Sequence, residues 1–416
     1  MRILGLTSGL EKKLLAARVV HERHAERVAL RIVADVRRRR DPALYAWTKK
    51  LDSVALNPTT VWISKQEIEE ATRKACPEFV RAVRQAARNI RRVAEQQLPR
   101  SWSLSVEPGV TIRQLVRPIE SVACYVPGGR FSLLSTLLMT AVPAQVAGVP
   151  RFVAVFPRPN NEFLAAAGTV GVHRIARIGG AQAVAALAYG TRSIPRVEKI
   201  FGPGNRYVTA AKQLVSADCA IDLPAGPTEA MVLADDGNPA WIAADLVAQA
   251  EHSADAGSFL VTTSRTLAEQ VANQVALQLR LLPPTNPAHR STKTAGAILI
   301  ADSLAAACEF VNRFAPEHLS LPSEPTFLAK IRSSGAIFVG PLSAQSLGDF
   351  ISGGNHVLPT AGWARRRGGL SSADFVKCLA VQKISRRGFK RLANGAETLA
   401  AAESLQAHRY AVRIRR

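Results

Sequence analysis

The chain has 416 residues, of which 47% are hydrophobic and 21% charged, as in folded globular domains and unlike disordered segments. Fifty-four lysines and arginines against thirty-two aspartates and glutamates give a net charge of +22, which favours anionic ligands. The five cysteines lie far apart without a Cys-x-x-Cys pair, which argues against a thiolate zinc site and predicts reduced thiols in a cytoplasmic protein.

The first hundred residues are predicted to be mainly helical. Apolar positions recur three and four apart at 14–36 and 67–96, with charged residues between them. The many early charges exclude a secretory signal. From Ser103 to Tyr125 short β-branched runs separated by turns predict strands. The apolar run at 131–150 that follows is interrupted too often by polar residues and proline to span a membrane.

Strands and helices then alternate, which predicts βαβ units and a doubly wound parallel sheet. The predicted elements are a buried strand at 152–156, a helix at 161–171, and strands at 175–178 and 199–201. Gly179-Gly180 and Gly202-Pro203-Gly204-Asn205 each follow a strand and open a helix. Such turns suit a phosphate or dinucleotide, because backbone N–H groups and the helix N-terminus favour an anion. Tight packing turns explain the glycines equally well.

The second half repeats the alternation. A loop at 221–229 carries Asp222, Thr228 and Glu229. Predicted strands lie at 231–234, 258–262, 297–300 and 335–340, and predicted helices at 241–252 and 266–281. Asp349 and the segment 353–360 are predicted to form an irregular polar loop. The tail is predicted to contain one amphipathic helix over 396–411.

The helix at 241–252 carries the first candidate site. Gln249 and His252 are three residues apart, so their side chains can converge on one point of the helix surface. Two neutral donors of this kind suit a borderline divalent metal, with a carboxylate and a second imidazole from elsewhere. A polar helix end with a satisfied histidine explains the pair as well.

Eight ordered motifs resemble histidinol dehydrogenase over about residues 30–410. They are CYVPGG at 124–129, GGAQAVAALAYGT at 179–191, GPGN at 202–205, DLPAGPTE at 222–229, DLVAQAEH at 245–252, APEHL at 315–319, GDFISGGNHVLPT at 348–360 and ESLQAH at 403–408. The chain departs from the usual family pattern at Thr228, where serine is more usual, and at Phe350, where tyrosine is more usual.

The resemblance implies an α/β fold with two Rossmann-like doubly wound domains, one of them discontinuous in sequence. It predicts a helical N-terminal arm at 1–21, a domain carrying metal and catalytic residues at 22–122 with 230–365, and an NAD-contacting domain at 123–229. A helical C-terminal tail at 366–416 is expected to be exchanged between the subunits of a homodimer.

The resemblance also implies the site. One zinc ion per subunit would be bound by Gln249, His252, Asp349 and, from the second subunit, His408. The substrate would contact these four ligands together with Thr228, His318 and Glu403, with His356 nearby. NAD would contact Tyr125, Gln182 and Asn205.

The implied reaction oxidises L-histidinol to L-histidine through the aldehyde, with two NAD⁺ and one water, in histidine biosynthesis. His318 would be the base for the first oxidation, since an imidazole titrates near neutrality, and Glu317 would activate the water. One alternative is a related zinc- and NAD-dependent enzyme for another small polar alcohol; Glu403 favours a cationic substrate. A remote alternative is a non-catalytic nucleic-acid-binding protein, but the basic runs lack interleaved aromatics and are expected to be solvated surface.

Overall fold

The computed structural model describes residues 1–18, 23–128, 133–223, 226–322 and 325–416. Gly129 of the first motif, Pro224 and Ala225 of the loop at 221–229, and the predicted boundary at 21–22 lie outside the described residues. The fold is α/β, as predicted. In the described ranges, no helix combines the length and apolarity needed to cross a bilayer.

The described residues form strands β1 (Arg2–Gly5), β2 (Trp102–Glu107), β3 (Val110–Pro118), β4 (Ser121–Tyr125), β5 (Arg151–Val155), β6 (Ile175–Ala176), β7 (Lys199–Phe201), β8 (Ala220–Ile221), β9 (Glu229–Leu233), β10 (Gly257–Thr262), β11 (Ala297–Ile300), β12 (His318–Leu321), β13 (Ala336–Val339) and β14 (Val376–Ile384). The α-helices are α1 (Ser8–Ala17), α2 (Arg23–Arg39), α3 (Asp41–Asp52), α4 (Lys65–Lys74), α5 (Pro77–Gln97), α6 (Leu134–Val146), α7 (Asn161–Thr169), α8 (Gly180–Tyr189), α9 (Arg206–Val215), α10 (Pro239–Ala250), α11 (Arg265–Leu279), α12 (Ala288–Thr294), α13 (Leu304–Phe314), α14 (Gln345–Phe350), α15 (Arg386–Ala402) and α16 (Gln406–Arg413). Short 3₁₀ helices lie at Pro325–Lys330, Trp363–Arg365 and Ser372–Phe375.

A five-stranded parallel sheet, here called the small sheet, has the strand order β6-β5-β4-β7-β8. The chain runs from β4 outward to β6, then crosses to β7 and β8 on the other side. The carboxyl ends of β4 and β7 therefore form a topological switch point, where ligands of doubly wound sheets bind. Tyr125 ends β4, and Gly202 directly follows β7.

A six-stranded parallel sheet, the large sheet, has the order β1-β11-β10-β9-β12-β13. Strands β9 and β12 are neighbours in register, with His318 opposite Ala230. The amino ends of β9 and β12 therefore bring Thr228, Glu229, Glu317 and His318 together. Strand β1 pairs with the edge strand β11, and the sequence did not predict it.

The C-terminal region differs from the predicted helical tail. Strand β14 pairs antiparallel with β3 over nine residues and forms a third, three-stranded sheet with β2. The single helix predicted at 396–411 is wrong, because α15 ends at Ala402 and α16 begins at Gln406. Ser404 has a positive φ of 59°, a conformation that a continuous α-helix excludes.

The predicted helix at 14–36 is not continuous, because α1 ends at Ala17 and α2 begins at Arg23. The helix predicted at 67–96 is two helices, because Ala75 and Cys76 are extended before Pro77, as steric clash with proline requires. Helix α10 ends at Ala250, two residues before His252. Asp349 lies in the short helix α14 and not in the irregular loop that was predicted.

The helices of residues 23–97 pack on the small sheet. Ile32 of α2 shares a core with Val184 of α8, and Ile90 of α5 shares a second core with Leu138 of α6. These contacts favour grouping the helices with the small sheet, whereas the sequence grouped 22–122 with 230–365. The domain boundaries therefore stay a prediction.

Candidate functional site

A cavity of about 320 Å³ lies between the carboxyl edge of the small sheet and the amino edge of the large sheet. The small-sheet side provides Pro127, Gly202 and Gly204, which follow β4 and β7. The remaining walls come from segments around the large sheet and include Thr228, His252, Glu317, His318, Asp349, Phe350 and His356. Both sheets therefore contribute to one cavity, and the predicted catalytic pair lies in its wall.

Glu317 and His318 are adjacent and buried, with 6% and 4% of their surfaces exposed. Glu317 Oε2 accepts hydrogen bonds from the Thr228 hydroxyl at 2.6 Å and from the Glu229 backbone N–H at 2.9 Å. Both donors bind the same oxygen, so Oε1 is the carboxylate oxygen left for a ligand. His318 Nε2 lies 3.3 Å from Asp349 Oδ1.

A directed chain of hydrogen bonds ends at this carboxylate. Gln345 Nε2 donates to Gln249 Oε1 at 2.7 Å, and Gln249 Nε2 donates to Thr228 Oγ1 at 2.9 Å. The Thr228 hydroxyl then donates to Glu317. Because all three hydrogen bonds run in the same direction, they fix the orientation of the Gln249 amide. The last donor, the Thr228 hydroxyl, binds the Glu317 carboxylate.

The electrostatic surroundings shift the pKa values of both catalytic candidates. Burial raises the pKa of Glu317, and the nearby His318 opposes that rise only in part. Burial lowers the pKa of His318, but the carboxylates of Glu317 and Asp349 outweigh it and raise that pKa above its ordinary value. Burial also raises the pKa of Asp349, yet the nearby His318 brings it below its usual range.

Two further histidines surround Asp349. His356 Nδ1 lies 2.7 Å from the Asp349 carbonyl oxygen, so this nitrogen carries the proton and holds the backbone of the aspartate. His252 Nδ1 lies 3.2 Å from the Ala248 carbonyl oxygen and 3.3 Å from that of Gln249. These two contacts hold the His252 ring, which lines the cavity.

Of the four predicted metal ligands, two line the cavity and a third is linked to it by a hydrogen bond. His252 and Asp349 line the cavity, and Gln249 joins it through Thr228. Within the described ranges, no three His, Cys, Asp or Glu side chains are grouped as a metal site. Of the residues described, neither Glu403 nor His408 lines the cavity, and both are exposed on the tail.

The donor set itself fits a borderline metal. His252 and Asp349 line the cavity with an imidazole and a carboxylate, the Gln249 amide is one hydrogen bond away through Thr228, and no cysteine among the described residues lines the cavity. Both ring nitrogens of the buried His318 lack a well-oriented hydrogen bond among the described residues, so the site keeps polar capacity for a ligand.

The three residues predicted to contact NAD lie along the carboxyl edge of the small sheet. Tyr125 ends β4, and its hydroxyl accepts a hydrogen bond from the Gly180 N–H at 2.9 Å. Gln182 is fully buried in the first turn of α8 and donates to Asp52 Oδ2 at 2.9 Å. The Asn205 side chain caps α9 by accepting from two backbone N–H groups. All three contribute to the fold, and in the described part of the chain none lines the cavity itself.

The turn after β7 is held by a buried ion pair. Lys212 pairs with Asp222, and their side chains are 4% and 1% exposed. Lys212 Nζ donates to the Gly202 carbonyl oxygen at 2.9 Å, and the Gly202 N–H donates to Asp222 Oδ2 at 2.7 Å. A Cβ at Gly202 would lie 2.1 Å from the Tyr125 carbonyl oxygen, so only glycine allows this close approach of β4 and β7.

Sequence reasoning missed several residues that support the site. Gln345 orients Gln249, and a buried pair between Arg18 and Glu229 lies behind Glu317. Glu229 was noted only as a member of its motif. No sequence signal links these residues, because 96 and 211 positions separate the partners.

A buried carboxyl–imidazole pair beside the carboxyl edge of a doubly wound sheet is an arrangement that suits a dinucleotide-linked oxidoreductase. A family model described as histidinol dehydrogenase matches residues 16–416. Histidinol dehydrogenases from Geobacter sulfurreducens and Aquifex aeolicus are 45% and 44% identical, over 94% and 95% of this chain and 94% and 93% of theirs. The solved histidinol dehydrogenase of Elizabethkingia anophelis superposes with a TM-score of 0.94 at 37% identity, covering 100% of this chain and 98% of that one.

The chain therefore belongs to the histidinol dehydrogenase family. The predictions of the family, of the α/β fold class and of an oxidoreductase are confirmed.

Proposed function

We propose that this chain oxidises L-histidinol to L-histidine through the aldehyde, using two NAD⁺ and one water. One observation carries the proposal: Glu317 and His318 are both buried in the wall of a cavity that His252 and Asp349 also line. A carboxyl and an imidazole with separately shifted pKa values can serve two proton transfers in one site.

Four residues would hold the zinc ion that this family uses. Gln249, His252 and Asp349 come from one chain, and His408 comes from a second copy. Zinc would act as a Lewis acid that anchors the imidazole and amine of the substrate, which fixes the carbinol for hydride transfer. The hydrogen bond from Gln345 and the contact from His356 keep two of these ligand residues in place.

The catalytic pair would divide the proton transfers. His318 would accept the hydroxyl proton of the alcohol in the first oxidation, since the carboxylates of Glu317 and Asp349 raise its pKa and would stabilise the imidazolium that forms. Glu317 would accept a proton from the attacking water at Oε1, because Thr228 and the Glu229 N–H occupy Oε2. The buried walls would exclude bulk water, which would strengthen the electrostatic interactions of His318 and Glu317 with the substrate and the attacking water.

NAD would bind along the carboxyl edge of the small sheet. Tyr125, Gln182 and Asn205 all lie at this edge, and the last two belong to the opening turns of α8 and α9. Helix N-termini that follow glycine turns attract a pyrophosphate. Gly202 and Gly204 line the cavity next to this edge, so a nicotinamide ring could reach the catalytic pair from there.

The tail supports a homodimer in which each site is completed by the other chain. Leu399, Tyr410 and Ile414 are 69%, 62% and 63% exposed, an unusual position for large apolar side chains. Glu403 and His408 lie on the same tail, away from the cavity of their own chain. Docking the tail on a second copy would bury the apolar residues and bring His408 to that copy's metal ligands.

The cysteines are consistent with a reducing compartment, and we place the enzyme in the cytoplasm. All five are free thiols; Cys124, Cys219 and Cys308 are buried, while Cys76 and Cys378 are exposed. Burial raises the pKa of the Cys124 thiol to about 12, which makes it unreactive.

The direct test of the function measures NADH formed per L-histidinol consumed by the purified protein. We expect about two NADH per substrate, loss of activity with a zinc chelator and recovery when zinc is returned. A small anionic alcohol serves as the control substrate and should not be oxidised. One NADH per substrate, or turnover that ignores zinc removal, would contradict the proposal.

A further inference from the structure

The guanidinium of Arg18 lies behind the site, at the C-terminal end of α1. Its Nε donates to Glu229 Oε2 at 2.8 Å, and its Nη2 pairs with the other oxygen of that carboxylate. The two side chains are 10% and 7% exposed, although 211 residues separate them in sequence. A buried, bidentate arginine–carboxylate pair fixes both distance and orientation between the segments it joins.

The same guanidinium contacts the turn that leads to Glu317. Its Nη1 donates to the Phe314 carbonyl oxygen, and its Nη2 donates to that of Ala315 at 3.3 Å. It also lies 3.7 Å over the centre of the Phe314 ring. Ala315 has a positive φ of 51°, so the turn departs from the preferred backbone of a non-glycine residue at the position whose carbonyl Arg18 binds.

The two segments that Arg18 contacts meet at the Glu317 carboxylate. One segment carries Glu317 itself, and the other supplies both of its hydrogen-bond donors, the Thr228 hydroxyl and the Glu229 N–H. Burial raises the pKa of Glu229 to about 7, and Arg18 opposes that rise. Without Arg18, a second buried carboxylate beside Glu317 would lose its counter-ion.

We infer that Arg18 is a positioning residue for Glu317: it holds both segments so that carboxylate oxygen Oε1 faces the substrate during the second oxidation. Arg18 does not line the cavity among the described residues, so it acts through Glu229 and the turn at 314–315. The inference rests on the proposed role of Glu317 in activating water.

The chain offers a matched control for a merely structural role of Arg18. Arg313, on α13, donates to Glu11 Oε2 of α1 at 2.9 Å. Arg313 thus joins α1 to the large-sheet core as Arg18 does, but it contacts neither Glu229 nor Glu317 through its side chain. Arg313 is more exposed than Arg18, with 49% against 10% of the side chain accessible, so the comparison uses the ratio of two half-reactions, which loss of helix docking alone would leave unchanged in either variant.

The experiment compares Arg18→Met, Arg18→Lys and Arg313→Gln in two half-reactions of the holoenzyme. One assay follows oxidation of L-histidinal by NAD⁺, and the other follows oxidation of L-histidinol with the aldehyde trapped by a hydrazine. In Arg18→Met we expect histidinal oxidation to slow by about 10- to 100-fold, as misplacement of a reacting group by about 1 Å does. Histidinol oxidation should slow by less than about threefold, because Glu317 is not its base.

Arg18→Lys retains the charge without the bidentate geometry, so its ratio of the two kcat values should lie between wild type and Arg18→Met. Arg313→Gln should keep the wild-type ratio. Equal slowing of both half-reactions, or the same change of ratio in Arg313→Gln, would overturn the inference. Should Arg18→Met fail to fold, Arg18→Lys decides, and an unchanged ratio there refutes the role. Wild-type enzyme that does not oxidise L-histidinol would instead refute the proposed function.

Discussion

Replacing Thr228 by valine tests the hydrogen-bond chain that ends at Glu317. Valine keeps the branched shape and removes the hydroxyl, which bridges Gln249 Nε2 at 2.9 Å and Glu317 Oε2 at 2.6 Å. A hydrogen bond to a buried carboxylate contributes about 1.5–3 kcal/mol, and an unpaired buried amide donor costs about 1 kcal/mol or more. We therefore expect the free energy of unfolding to fall by about 2–4 kcal/mol.

The assay is urea denaturation at a fixed protein concentration, together with kcat for L-histidinal. Loss of a donor to the ionised carboxylate should also raise the pKa of Glu317 further, since burial already raises it, so the acidic limb of the rate profile should move to higher pH. Thr228→Ser restores the hydroxyl and should stay within about 1 kcal/mol of wild type. Valine and serine variants with equal stability and equal profiles would refute the bridging role.

Three further predictions concern buried polar groups. Lys212→Met should lower the free energy of unfolding by about 3–5 kcal/mol in urea denaturation, because it leaves Asp222 unpaired; a change below 1 kcal/mol would show that the pair is not needed. Gln345→Leu should weaken zinc binding, measured by competition with a chromophoric chelator, by about tenfold through the loss of its bond to Gln249; unchanged affinity would contradict this. Burial raises the pKa of Asp245 to about 6, so its contribution to stability is lost as pH rises through that value. Asp245→Asn should therefore be more stable than wild type by about 1–3 kcal/mol at pH 8 and not at pH 4, and a constant difference across that range would refute the assignment.

The sequence predicted the architecture through its local patterns. Runs such as 152–156 are apolar throughout, as buried parallel strands are, and glycine turns marked the start of α8 and α9. Short edge elements were missed. Strand β1 has four residues and depends on pairing with β11, almost 300 positions away, so no local pattern indicates it.

The sequence predicted residues of the site but not the hydrogen bonds that connect them. The family resemblance implies one site for Glu317, His318 and Asp349, and all three line one cavity. The bonds from Gln345 and Arg18 join segments that are distant in sequence, and they exist only once both sheets are folded. The interruption between α15 and α16 at Ser404 could not be predicted either, because the apolar spacing of the tail continues across it.

The most direct test of a shared metal site mixes two inactive variants, His318→Asn and His408→Asn, and follows L-histidinol oxidation after subunit exchange. A mixed dimer would have one site lacking both side chains and one intact site. Random exchange should therefore restore about a quarter of wild-type activity. Activity that stays at zero, after mass measurement has shown mixed dimers, would contradict a site built by two chains.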